Sequence, residues 1–445
     1  MVKLSATAHR AIKAIVPAVP VISKRFQRNR RGSKRQRGER KCWHPISWEE
    51  HQSRLSDYEF RRRYRMSRET FAKFCEVVRP YVRTRDMGQF RRCTGHGEGK
   101  VNVEPPSLEV ELAFTIRWLA GGQTADLMLV YRVPRVTLYD CCWKVIDAIN
   151  MAMKVEFPTD ISAELRKLEA GFRRSDYPFW KGQVGAIDGV LFQTRNPGVE
   201  VPNPKQYYVE RKGMYALLCI AVCDAQCRIT WFDISHEPTS HDSLAFGNTD
   251  FGHRVTNGLL PENFFLNGDA AFTHGRSMVV PLGQAAFDWL QSSCRVVIER
   301  TFGLLIRRWG ILWRPLSVMH KRRVDIIGAC IRLHNFLITE RLGQDPTPEV
   351  PLEFPMCAAH AEVVPGTWEV PPYLDADGRP NMHLDTEGQH EARRQAMGGH
   401  SAGSGLPVRA RELADAAREW GLHERPYAKG HAPKRQKKTK RKLTY

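Results

Sequence analysis

Between about residues 46 and 155 the apolar positions recur at helical spacing. In "SRETFAKFCEVVRPYV", Phe71, Phe74, Val77, Val78 and Tyr81 follow one face behind a candidate N-cap, Ser67. "SLEVELAFTIRWLAGG" repeats the grammar, with Ser107 as cap, Leu108, Leu112, Ile116 and Leu119 as the apolar face and Gly121 as the stop. "TADLMLVY" and "TLYDCCWKVIDAINMAM" predict two more helices on either side of "RVPRV", with Thr137 and Asp140 spaced as a capping box. From about residue 181 the rhythm changes to a period of two or to continuous apolar runs. That change predicts strands over residues 184–193, 214–223, 229–235, 264–266 and 278–282, with "CDAQC" as a hairpin turn between the second and third. Helical spacing returns in "HDSLAF", over residues 293–309 and over 324–338. Beyond about residue 342 Pro, Gly, His and Glu dominate without a regular pattern. Residues 408–422 are the exception: Leu413, Ala417 and Trp420 predict one apolar face of a surface or partner helix.

These rhythms divide the chain into a basic, disordered arm over 1–45, a helical region over 46–155, an α/β domain over 156–341, and a largely disordered tail over 342–445. The order helix, short turn, helix near residues 124–150 is the grammar of a helix-turn-helix DNA-binding unit. Its second helix carries Asp140 and Asp147 against Lys144, which is a poor surface for phosphates, so a purely structural helical region fits equally well.

Charge sharpens the picture at the two ends. The formal net charge is +20 over 445 residues. Residues 1–41 hold thirteen Lys or Arg and one acid, Glu39, and residues 434–442 hold seven Lys or Arg and no acid. Nearly all the excess charge is therefore terminal, and the body of the chain is close to neutral. Such clusters suit polyanions or nuclear import receptors, and they predict a nuclear location. No run reaches the roughly 18 apolar residues of a membrane helix, so no membrane association is expected. Eleven cysteines form no CxxC pair. Cys219, Cys223 and Cys227 lie four apart, which is not a zinc spacing, and they read as small buried hydrophobes.

The candidate chemistry lies in three acids. "VGAIDGVLFQT" places Asp188 in the middle of an apolar strand, where an isolated charge is costly unless it is paired or bound to a metal. "FFLNGDAAF" places Asp269 just past a later strand, and Glu299 falls within "SSCRVVIERTFGLLIRRWG". Only the fold can bring such distant positions together. Three antiparallel strands followed by a helix and a parallel strand would set the first and fourth strands side by side, with a helix adding the third acid. Converging carboxylates repel one another unless a cation sits among them. An all-oxygen set suits Mg²⁺ or Mn²⁺, and two such ions support in-line phosphoryl displacement. Arg295, Arg300, Arg307 and Arg308 on the same helix, and Lys212, are candidate phosphate contacts.

"GAIDGVLFQTRNP", "RKGMYALLCIAVCDAQCRITWFDI", "HEPTSHDSLAF", "FFLNGDAAF", "SSCRVVIERTFGLLIRRWGIL" and "CIRLHNFL" occur in an order that resembles PIF/Harbinger-type DDE transposases and their domesticated nuclease relatives. The resemblance runs from about residue 60 to about 340. It implies an RNase H-like catalytic core, a mixed five-stranded sheet flanked by helices, with an N-terminal all-helical region. It also implies that Asp188, Asp269 and Glu299 are the catalytic, metal-holding triad, served by Mg²⁺ or Mn²⁺ in a two-ion site. His241 and Asp242 match a His-Asp pair of the family, and helix capping is an equally good account of them. The implied activity is cutting of double-stranded DNA at transposon ends, with strand transfer as an extension. The implied partner is a Myb-like DNA-binding protein, and an oligomer is compatible with the sequence. The alternative is a non-catalytic DNA- or chromatin-binding protein that keeps the fold.

Overall fold

The computed structural model describes residues 44–82, 105–158, 163–175, 177–344 and 408–419. The basic arm over residues 1–43, Trp420 and the basic cluster at 434–442 lie outside the described residues.

Serines open the first helices. Ser47 caps α1 (Trp48–Ser53), Ser56 forms a full capping box with Glu59 on α2 (Asp57–Tyr64), and Ser67 caps α3 (Arg68–Val78). Ser107 accepts the Val110 N–H and opens α4 (Leu108–Leu119), as its position predicts. Next come α5 (Thr124–Tyr131), α6 (Arg135–Ala152) and α7 (Ala163–Phe172). The expected capping box at Thr137 and Asp140 is not formed. The helix starts two residues earlier, behind Pro134, and Thr137 is buried inside it. Proline's fixed φ and missing donor favour a helix start at that point.

The helix α6 buries Leu138, Cys141, Cys142, Val145, Ile146 and Ile149 between α4 and a long C-terminal helix. Lys144 pairs with the buried Glu111, and the exposed positions are Arg135, Val136, Asp140 and Met151, so the one exposed cation sits at the first residue of the helix. A recognition helix needs an exposed basic face, so the helix-turn-helix expectation finds no support at this helix.

Six strands make a mixed sheet: β1 (Gln183–Thr194), β2 (Tyr208–Val209), β3 (Met214–Cys223), β4 (Ile229–Asp233), β5 (Phe265–Asn267) and β6 (Met278–Val279). β3 runs antiparallel to β1, β2 and β4, while β5 runs parallel to both β1 and β6. The first and fourth of the strands read from sequence are therefore neighbours, as the acidic site requires. The sheet exceeds the expected five strands by β2, whose two residues are too few to show a period. Between β4 and β5 lie α8 (Asp242–Gly247) and α9 (Asp250–Thr256).

After the sheet come α10 (Ala285–Arg308) and α11 (His320–Gln344). The first begins eight residues before the expected 293, because "AAFDWLQS" continues the helix onto the apolar cluster of Trp180, Phe265 and Phe287. One apolar core runs from the N-terminal helices through β1 and β3 to α10 and α11, including Phe74, Phe114, Ile146, Phe192, Ile298 and Ile331. A second core covers the other sheet face, with Ile187, Phe246, Phe251 and Phe272. Finally, α12 (Val408–Glu419) lays Leu413, Ala414 and Ala417 on the cluster of Phe287 and Leu290, so the apolar face read as a partner surface is satisfied within the chain. Among the described residues no helix is long and apolar enough to cross a membrane.

Cys219, Cys223 and Cys227 are buried, and burial raises the Cys219 and Cys223 thiols above their ordinary range. Within "CIRLHNFL", His334 and Asn335 serve the fold. His334 is buried, donates from Nε2 to the Cys227 carbonyl at 2.8 Å, and is held neutral by burial, with a pKa lowered to about 3. Asn335 accepts the Ile229 N–H at 2.8 Å and donates to the Ile229 carbonyl at 2.6 Å, pairing the start of β4 as another strand would. Asn335→Leu is expected to cost about 1–3 kcal/mol, because both Ile229 groups lose their partners. Thermal unfolding at neutral pH measures it.

Candidate active site

Asp188 shares its pleat parity with Ala186, Val190 and Phe192, the β1 residues that pack toward α10. Its side chain is 19% exposed. The Gly189 N–H donates to its Oδ1 at 2.9 Å. The parallel register sets Ala186 beside Asn267, so the end of β5 arrives next to Asp188. Two residues on, Asp269 accepts the Ala271 N–H on Oδ1 at 2.8 Å, which fixes the turn that carries it. Glu299 lies one helical turn beyond Arg295 on α10.

Arg295 ties the group together. Its Nη1 lies 3.4 Å from Asp188 Oδ2 and its Nη2 lies 3.0 Å from Glu299 Oε1. Burial pushes the Asp188 carboxyl up from 3.8 to about 7. Arg295 opposes that rise, while the negative charges of Asp269 and Asp242 add to it. Three of the expected site residues, Asp188, Asp269 and Glu299, are thus brought to one end of the sheet, with Arg295 among them rather than facing solvent. Arg295→Met is expected to raise the Asp188 carboxyl further above about 7, since a lowering influence is removed. Carboxyl ¹³C chemical shifts followed across pH 5–9 in EDTA would record it.

Asp242 is a fourth acid at this place. It occupies the first turn of α8, and its carboxylate lies 3.1 Å from where a Cβ on Gly189 would stand. A Cβ there would be a tight contact, so the carboxylate would have to give way by a few tenths of an ångström. The "DG" in "AIDGV" was the available signal, but nothing in one dimension connects it to "HDS". His241 occupies the N-cap of α8 without a side-chain capping bond, so the capping account does not hold for His241, while Asp242 stands in the first turn. Lys212 borders Asp242: burial and neighbouring Arg211 lower its pKa, and Asp242 opposes the drop. Arg300 is exposed and Arg307 half-buried. Arg308 is a correction: it is 2% exposed and donates to the His334 carbonyl at 3.4 Å, so it cannot meet a phosphate.

The donor chemistry of this cluster is all carboxylate, the hard set that suits Mg²⁺ or Mn²⁺ rather than Zn²⁺. The Asp188 carboxyl is raised chiefly by burial, so its charged form is disfavoured in the metal-free site, and a bound cation would offset that cost. Among the described residues no three His, Cys, Asp or Glu side chains stand as a ready metal cage. Between Asp188 and Glu299 the neutralising charge is the Arg295 guanidinium.

Residues 187–335 match the family described as DDE superfamily endonuclease, a segment that includes all three acids. Among curated proteins, the chain is 23% identical over 235 residues to "Putative nuclease HARBI1" of Rattus norvegicus, covering 50% of this chain and 65% of that one. The protein of the same name in Mus musculus is 21% identical over 266 residues, covering 57% and 70%, and the Homo sapiens one is 22% identical over 235 residues, covering 50% and 65%. The chain thus spans just under two thirds of the length of the rat and human relatives. No solved structure matches it. These matches support the family resemblance carried by the six sequence blocks.

Proposed function

Taking residues 187–335 as a DDE superfamily endonuclease domain, we propose that the chain is a divalent-metal-dependent DNA endonuclease of transposase type. The observation that carries this is the convergence of Asp188, Asp269 and Glu299, from strand, strand end and helix, with Arg295 bridging Asp188 and Glu299 and the half-buried Asp188 carboxyl raised to about 7. Bound Mg²⁺ or Mn²⁺ supplies a nucleophile at neutral pH and stabilises charge in an in-line displacement at phosphorus. Asp188, Asp269 and Glu299 would hold it. Arg295, now engaged with two of them, becomes available to a substrate phosphate once a cation takes over the neutralisation. Lys212 and Arg300 are proposed contacts to the duplex backbone, where they fix register rather than read sequence.

Double-stranded DNA is the proposed substrate, and cutting at transposon ends is the specific form of the activity. Strand transfer would reuse the same site, with a freed 3′-hydroxyl in place of water. A Myb-like partner would supply end recognition, consistent with the lack of a basic face on α6. The two basic termini would give the nuclear address.

A second reading has one observation in its favour. Arg295 already neutralises Asp188 and Glu299, so the cluster is electrostatically satisfied without a metal, as a non-catalytic DNA-binding descendant would allow. Incubation of the full chain with a terminal-repeat duplex, with and without Mg²⁺ and beside Asp188→Ala, separates the two. Cleavage that needs Mg²⁺ and is absent in the variant supports the endonuclease. Equal cutting by both proteins rejects this site, and binding without cutting, even with the partner supplied, supports the second reading.

A further inference from the structure

Beneath the carboxylates lies a layer of three buried amides. Gln183 is 1% exposed, and Asn267 and Gln291 are fully buried. Each comes from an element that carries one of the acids. Gln183 precedes Asp188 by five residues on β1, and Asn267 precedes Asp269 by two at the end of β5. Gln291 precedes Arg295 and Glu299 by four and eight on α10, which places the three on one helix face.

The amides are bonded to one another and to backbone groups beside the acids. Gln183 Oε1 accepts from Trp180 Nε1 at 2.8 Å and from Asn267 Nδ2 at 3.3 Å, and Gln183 Nε2 donates to the Cys294 carbonyl at 3.3 Å. Asn267 Nδ2 also donates to the Gln291 carbonyl at 3.0 Å. Gln291 Nε2 donates to Asn267 Oδ1 at 2.5 Å and to the Gly268 carbonyl at 2.6 Å. Gly268 is the residue before Asp269, and Cys294 is the residue before Arg295. Gln291 Oε1 is buried without a hydrogen-bond partner.

Such a layer is a costly way to fill a core. Three buried amides, one with an orphaned oxygen, gain no stability over leucines of similar volume. Apolar side chains would let strands and helix slide by fractions of an ångström, since their packing has no direction. Directional bonds instead fix β1, β5 and α10 along one another's axes.

We propose that Gln183, Asn267 and Gln291 are positioning residues that set the mutual placement of Asp188, Asp269 and Glu299 for a shared divalent cation. The proposal rests on the metal-dependent reading above. It goes beyond that reading in assigning the site's geometry to an amide layer that touches neither metal nor substrate.

The test is Mn²⁺ binding to the full chain by titration calorimetry, for wild type, Gln291→Met and Asp188→Asn. Each protein is measured at least about 15 °C below its own unfolding midpoint in EDTA, so that unfolding does not contribute. Gln291→Met keeps shape and loses both donors. It is expected to weaken Mn²⁺ binding 10–100-fold, the range for groups that orient metal ligands, while Asp188→Asn abolishes binding. If Asp188→Asn binds Mn²⁺ as wild type does, the metal reading of this site fails. If Asp188→Asn loses Mn²⁺ and Gln291→Met binds it like wild type, the positioning proposal alone is overturned. Should Gln291→Met not fold, Gln183→Met carries the same expectation, because it leaves both Gln291 bonds intact.

Discussion

Asp188→Asn is expected to give a folded protein at least about 10³-fold slower in metal-dependent DNA cleavage and more stable than wild type above neutral pH. Both effects have one origin. The Asp188 carboxyl is raised from 3.8 to about 7, chiefly by burial, with Asp269 and Asp242 adding to the rise and Arg295 only partly offsetting it. Between pH 4 and 7 the metal-free native state therefore binds more protons at this group than the unfolded chain does. Stability falls as pH rises through that window and stays low above it. A shift of about three units corresponds to at most about 4 kcal/mol at the upper plateau. Asparagine keeps the shape, carries no charge and removes the penalty. Unfolding midpoints of both proteins in EDTA should be closest near pH 4 and diverge toward pH 8, with the variant higher. Mg²⁺ at pH 8 should raise the midpoint of wild type only. A variant no more stable than wild type at pH 8 would show that the carboxyl is not strained by its surroundings.

Asp269→Asn and Glu299→Gln are each expected to lose cleavage to the same extent, about 10³-fold or more, and the double variant should be no slower than either single one. Ligands of a shared cation act as a unit, so removing a second ligand from a site already lost takes little more away. Their stability effects should differ. Glu299 is 24% exposed and paired with Arg295 at 3.0 Å, so Glu299→Gln leaves the guanidinium with Asp188 as its remaining acid. Asp269→Asn removes a charge that acts against Asp188. In EDTA, the Asp188 carboxyl should therefore titrate at lower pH in Asp269→Asn than in wild type. Single-turnover cleavage of a labelled duplex gives the rates, and carboxyl ¹³C titration gives the order of the shifts. Losses that multiply in the double variant would mean that the two acids act separately.

The chain's own rhythm determined a good deal. The apolar runs at 184–193 and 214–223 became β1 and β3 almost unchanged, and Ser67 and Ser107 cap the helices they precede. These elements are local: an apolar run or a capping hydroxyl acts within a few residues, so it is legible in one dimension. Asp188 and Asp269 could be singled out because an acid inside an apolar strand, or just past one, is conspicuous against its neighbours, whereas Glu299, within a helix, joined them through the family resemblance. Tertiary structure decided the rest. It extended α10 by eight residues onto the Trp180 cluster, buried Arg308 beside His334, folded α12 onto α10, and set Arg295 between two acids 107 and 4 residues away. It also placed Asp242 against Gly189 and joined Gln183, Asn267 and Gln291 in one buried layer. None of these has a local signature. A charge or an amide is satisfied by whatever the packing of strands and helices brings within about 3 Å of it, and sequence separation does not encode that distance.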